Sequence, residues 1–212
     1  MGLLDGKVMI VTGAGGGIGR EHALALARDG AAVVVNDLGG ARDGTGSGNT
    51  MADQVAEEIR AAGGEATASY DDVSSIAGGE AILQAGLDAF DKVDGVVNNA
   101  GILRDKSFAN TTEDLWDIVV NVHLRGTYCV SQAVYKHLKE RNEGGVIINT
   151  SSTSGLNGNF GQCNYGPQRR ASRACPAAWP SRARNTACAS SSWRRSRSRA
   201  SPTIFPASTW KR

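Results

Sequence analysis

Five short runs rich in apolar residues, separated by amphipathic stretches, restrict this chain more than any other feature. Lys7–Thr12 (KVMIVT), Ala32–Asp37 (AVVVND), Ala66–Tyr70, Val93–Asn98 and Val146–Thr150 are rich in Val, Ile and Ala. Runs that do not alternate with polar residues predict strands buried on both faces. Gly17–Asp29, Met51–Ala62, Ala77–Phe90 and Glu113–Glu140 carry helical spacing, and Gly63-Gly64 closes the second of these. Leu38–Asn49 is Gly-rich and reads as a loop. Strand–helix alternation of this kind predicts an α/β fold, a doubly wound parallel sheet covered by helices on both faces.

The first strand runs into Thr12-Gly13-Ala14-Gly15-Gly16-Gly17-Ile18-Gly19, which opens a helix. Glycines there let the backbone turn sharply and approach a pyrophosphate, whose charge the helix N-terminus favours. A glycine pattern alone is weak, but an acid, Asp37, ends the second strand. An acid at that place binds both ribose hydroxyls of NAD and repels the 2′-phosphate of NADP, so NAD is the expected cofactor. The plainer alternative is an acid capping a turn.

The spacing TGxxxGIG resembles the short-chain dehydrogenase/reductase family rather than other Rossmann-like enzymes. Further matches follow in order: Asp72-Val73, Asn98-Asn99-Ala100-Gly101, and Ser152 thirteen residues before Tyr165. The segments VVVNDLGG, NNAGILRDKSF, VHLRGTY and SGLNGNFGQCNY resemble one subgroup, the (3R)-hydroxyacyl-CoA dehydrogenase modules of peroxisomal multifunctional enzymes and their bacterial relatives. The resemblance covers residues 1–165. It implies a Rossmann-like domain in which Thr12, Gly13, Gly17, Ile18, Gly19, Asp37, Asp72, Val73, Asn99, Ala100 and Gly101 hold NAD. It implies Tyr165 as the acid/base at the substrate oxygen and Ser152 as that oxygen's hydrogen-bond donor. The substrate implied is a small molecule, a 3-hydroxyacyl thioester or another secondary alcohol or ketone. Intact members of the family form homo-oligomers, partly through the helix that follows the tyrosine, so assembly of this chain is in doubt.

Two positions depart from the family pattern. His123 stands where the wider family often has an Asn that feeds a proton relay; a relay role and a structural one are both open. Arg169 occupies the place of the family's lysine, four residues after the tyrosine. That ammonium lowers the pKa of a phenol, ordinarily about 10, and holds the nicotinamide ribose. Arg is larger, planar and always charged. Pro167 is expected to disturb the helix around it unless it lies in the first turn.

Composition changes abruptly after Tyr165. Residues 166–212 contain 11 basic residues and no Asp or Glu, leaving residues 1–165 with 12 basic and 21 acidic residues, a formal charge of −9. The tail is Arg-, Ser-, Ala- and Pro-rich, with no sustained apolar face, and is expected to be disordered or poorly packed. The genetic code offers a cause. Gly166–Ala171 can be written in codons which, regrouped by one base, read AAKAG and restore a lysine four residues after Tyr165. In the same register Arg184–Ser190 yields EHGVRV, and Ser191–Arg199 is compatible with VVAPVALT. The reading is a single-base loss in the Gly166 codon. Two segments result: a dinucleotide-binding domain, 1–165, with about five of seven strands and a bare edge on the fifth, and an out-of-frame tail, 166–212. Arg194, Arg195, Arg197 and Arg199 beside Trp193 and Trp210 offer a weaker alternative, nucleic-acid binding. Cys129, Cys163, Cys175 and Cys188 show no metal-ligand spacing and are expected as reduced thiols. No metal is expected, and neither a signal peptide nor a membrane span is evident, so a cytoplasmic location is expected.

Overall fold

A computed structural model describes residues 2–40, 43–46, 48, 50–174 and 186–191. The strands are β1 (Val8–Thr12), β2 (Ala32–Asn36), β3 (Ala66–Ser69), β4 (Gly95–Asn98), β5 (Gly145–Thr150) and β6 (Thr186–Ser191). They form one parallel sheet in the order β3-β2-β1-β4-β5-β6. The helices are α1 (Gly17–Arg28), α2 (Thr50–Ala61), α3 (Ile76–Phe90), α4 (Glu113–Val120), α5 (Gly126–Arg141), α6 (Thr153–Asn157) and α7 (Tyr165–Ala174).

The pleat divides the apolar runs between two cores. Met9, Val11, Val33 and Val35 face Ala23, Leu26, Val55 and Ile59 of α1 and α2. Val8, Ile10, Val34 and Val96 face Ile82, Val130, Val134 and Leu138 of α3 and α5. Every residue of β1 and β2 is buried, as strands covered on both faces require. The chain winds outward from β1 to β3, then returns to β4 on the other side of β1. That reversal opens a crevice at the C-terminal ends of β1 and β4, where such sheets take ligands.

Three expectations are corrected. The helical pattern over Glu113–Glu140 is not one α-helix: a π turn at Asn121–Arg125 separates α4 from α5. The helix carrying Tyr165 is not disturbed at Pro167 but continues to Ala174. Pro167 is its third residue, within the first turn, where an N–H has no partner inside the helix anyway. The β5 edge is not bare, because Thr186–Ser191 pairs with it from Gly145↔Thr186 to Thr150↔Ser191. Ladder hydrogen bonds use backbone groups alone, so a run such as TACASS can fill an edge without an apolar face. The remaining tail, including Trp193, Arg194, Arg195, Arg197, Arg199 and Trp210, lies outside the described residues, as does Cys175; of the expected Leu38–Asn49 loop, residues 41, 42, 47 and 49 do too.

Candidate active site

The glycine turn is built as its spacing demands. Gly13 and Gly17 have φ of +63° and +54°, the left-handed region open to glycine. A Cβ on Gly19 would lie 2.0 Å from Gly13 O, so helix and turn close together only without a side chain there. Ile18 is an exposed apolar residue in the first turn of α1. Asp37 accepts from Gly15 N and from Gly39 N, both at 2.8 Å. A carboxylate has about four lone-pair sites, so acceptor capacity is left for a ligand.

Thr12, buried at the end of β1, ties the two halves of the crevice. Its Oγ1 accepts from Asn99 N and Ala100 N, each at 3.1 Å. Asn99 returns the contact, donating from Nδ2 to Thr12 O at 3.1 Å and Gly13 O at 3.0 Å. Asn98 Nδ2 donates to Ser131 Oγ and Asn149 Oδ1, joining β4 to α5 and β5. Val73 is buried against Gly126. Asp72 turns its carboxylate to Ser74, accepting from its N and its Oγ, and so shapes the approach to α3.

Tyr165, His123 and Arg169 meet beside Gly101. The π turn carries His123 inward; such turns are frequent at functional sites. The His123 ring stands edge-on to Tyr165, with centroids 5.1 Å apart at 84°. Its Nε2 lies 2.8 Å from Ile102 O and 3.0 Å from Ile102 N. Burial, with the Arg169 charge second, pushes its pKa down to about 3, so the ring is neutral. Arg169 is 5% exposed. Its Nη1 donates to Thr150 O at 2.9 Å, its guanidinium carbon sits 5.5 Å from the Tyr165 ring centroid, and its Nε has no partner among the described residues. Desolvation pushes its pKa down, the Tyr165 hydroxyl partly offsetting this. A Cβ on Gly101 would lie 2.3 Å from His123 Cε1 and 2.5 Å from Arg169 Nη2, so the cluster closes on bare backbone.

Ser152 caps α6, its Oγ accepting from Ser154 N at 3.2 Å. α6 packs on α7, where Gly155 leaves room for the backbone of Arg169 and Arg170. Asn164 carries no motif signal of its own. It is buried immediately before Tyr165 and donates to Arg104 O at 3.0 Å and Leu115 O at 2.9 Å, fastening the start of α7 to the loop after β4 and to α4. Cys129 and Cys163 are free thiols; the side chain of Cys188 lies outside the described residues. No described helix is long and apolar enough to cross a membrane.

Comparisons with known proteins agree with this arrangement. A model of the short chain dehydrogenase family matches residues 7–175. A putative short-chain type dehydrogenase/reductase of Mycobacterium tuberculosis is 57% identical over 160 residues, 76% of this chain and 56% of that protein. Mouse peroxisomal multifunctional enzyme type 2 is 53% identical over 161 residues, 76% of this chain and 21% of that one. The crystal structure of a short chain dehydrogenase from Mycobacterium avium superposes with a TM-score of 0.80 at 42% identity, covering 89% of this chain and 70% of that chain. The chain thus spans about half the length of the mycobacterial relative and about a fifth of the mouse enzyme. With the glycine turn, the Asn99 tie and the Tyr165 helix in place, the chain belongs to the short-chain dehydrogenase family.

Proposed function

We propose that this chain is built for hydride transfer between NAD(H) and a secondary alcohol or ketone, with a (3R)-3-hydroxyacyl thioester as the substrate class. The observation that carries this reading is the Tyr165–Arg169–His123 cluster at Gly101, placed at the same sheet end as the glycine turn. The nicotinamide ring, when bound, supplies or takes the hydride. The residues of the chain do the rest. The closely packed Gly13–Gly19 turn admits the pyrophosphate, and Asp37 takes the adenosine ribose. Ser152 donates to the substrate oxygen, and Tyr165 exchanges a proton with it. Asp37 favours NAD over NADP, since a 2′-phosphate beside a carboxylate is repelled. Asp72 and Val73 border the adenine side. His123 stays neutral, and its Nδ1, unpartnered among the described residues, is free to take part in a hydrogen bond on the Tyr165 side rather than to hold a proton.

Arg169 stands in for the family's ammonium. It supplies the charge, but as a planar group already bonded to Thr150 O. We read the activity of this chain as impaired relative to one with lysine there, and the change after Tyr165 as a lost base in the Gly166 codon. A second reading, a dinucleotide-binding remnant without turnover, is favoured by the same substitution. A cytoplasmic setting is part of the proposal.

One experiment tests the set. The chain and its frame-restored version are assayed side by side with NAD and NADP and a 3-hydroxyacyl-CoA. Faster turnover by the restored form with NAD is the expected result. NADP bound more tightly than NAD, or no dinucleotide bound by either form, would refute the cofactor assignment. Full activity in the unrestored chain would refute the role given to position 169.

A further inference from the structure

Among the described residues, two buried charges, Asp94 and Arg169, are treated in opposite ways. Asp94, at the N-terminal end of β4, is surrounded by Lys7 at 3.6 Å, Lys92 at 3.4 Å and Arg141 at 3.8 Å, and it accepts from Val8 N at 2.9 Å. Arg169, at the opposite end of the sheet, has no carboxylate within ion-pair distance among the described residues. The charged or titratable groups acting on it and on neighbouring His123 are Tyr165 and Arg169 itself; no carboxylate offsets either. The ring of His123 is neutral and adds no counter-charge.

We propose that Arg169 makes this site discriminate between the redox forms of its dinucleotide, holding the uncharged ring of NADH more tightly than the cationic ring of NAD+. The proposal rests on the dinucleotide reading above, which puts the nicotinamide end at Gly101. The two forms differ by one positive charge on the ring and are otherwise nearly the same molecule. Their affinity ratio therefore reads the field at the ring. A buried unit charge within about 10 Å of the ring, even at an effective dielectric of about 20, separates the two forms by about tenfold or more. A guanidinium does not shed its proton at working pH, so the preference persists across that range. The same field contributes to holding His123 in its neutral form.

Calorimetric titration of the 212-residue chain with NADH, NAD+ and ADP-ribose tests this. ADP-ribose lacks the ring and supplies the baseline. The expected order is NADH tightest, with NAD+ about tenfold or more weaker than NADH and weaker than ADP-ribose. In Arg169→Gln the NADH/NAD+ ratio falls to within about threefold, and in Arg169→Lys, which keeps the charge, it is retained. A ratio unchanged in Arg169→Gln, or equal affinities in the parent chain, overturns the charge proposal and leaves the dinucleotide reading standing. Failure of all three ligands to bind the parent overturns both. Should Arg169→Gln not fold, as judged by circular dichroism, the parent's order against ADP-ribose and the Arg169→Lys ratio still decide.

Discussion

Arg169→Met is expected to stabilise the fold. The guanidinium is 5% exposed, donates to Thr150 O, interacts with the Tyr165 hydroxyl and leaves Nε unpartnered among the described residues. Burying an ion costs several kcal/mol even after relaxation. The charged hydrogen bond returns about 1.5–3 kcal/mol. The contact with the Tyr165 ring, 5.5 Å from the guanidinium carbon, returns about 0.5–2 kcal/mol. Methionine keeps much of the stem's packing and a sulfur contact to the same ring, and it brings no charge. The balance favours methionine by about 1–3 kcal/mol, which for a domain of this size raises Tm by roughly 3–8 °C. Urea unfolding followed by circular dichroism measures it, with an unchanged m-value as the sign that the folded state alone has changed. Destabilisation by more than about 1 kcal/mol would refute the reasoning, since it would mean that the charge is compensated. The same substitution removes the cation from beside Tyr165, so stability and function are expected to move in opposite directions.

Three further outcomes are expected. His123 titrates near 3 in the folded chain against an ordinary value near 6.5, so the unfolded chain binds the extra proton; its contribution is full above about pH 6.5 and is lost as pH falls toward 3, by up to about 1.4 kcal/mol per pH unit. His22 and His137, also pushed down by burial, act in the same direction, and a flatter pH dependence of the urea midpoint in His123→Gln isolates the one residue; an unchanged slope would contradict the burial argument. Gly19→Ala puts a Cβ against Gly13 O and Asn99 Nδ2, and a thermal melt should show a loss of about 2–4 kcal/mol together with lost dinucleotide binding; retention of both would mean the turn has slack. Asn164→Leu leaves the carbonyls of Arg104 and Leu115 without their buried donor, and chemical denaturation should report a loss of about 2–4 kcal/mol, a change below about 0.5 kcal/mol being incompatible with the hydrogen bonds seen.

Local pattern was enough for much of the fold. The five runs became β1 to β5 within a residue or two of their expected limits; for β1, β2, β4 and β5 burial on both faces leaves little room for polar alternation, whereas β3, at the sheet edge, is half-buried and alternates Ala with Thr and Ser. The glycine turn was legible for a similar reason: positive φ at Gly13 and Gly17 and close approach at Gly19 are demands that a backbone makes of its own residues. Less visible were features decided by partners far along the chain. The period of Glu113–Glu140 is helical throughout, and nothing in it announces the π turn that swings His123 inward. Pro167 reads as a helix breaker until the start of α7 is known. Asn164 reads as any polar loop residue until Arg104 and Leu115 are brought to it. β6 carries no apolar signal, since its backbone is paired by the waiting edge of β5.

The sequence by itself determined a parallel α/β sheet, a cradle for a pyrophosphate and the presence of a tyrosine, a serine and a displaced basic residue. The tertiary structure decided that Arg169 is buried beside Tyr165, His123 and Gly101 rather than extended into water. The physical reason is one of range. Periodicity and backbone conformation are set among near neighbours, whereas the environment of a charge depends on which distant groups the sheet order gathers around it, and here it gathers no carboxylate among the described residues.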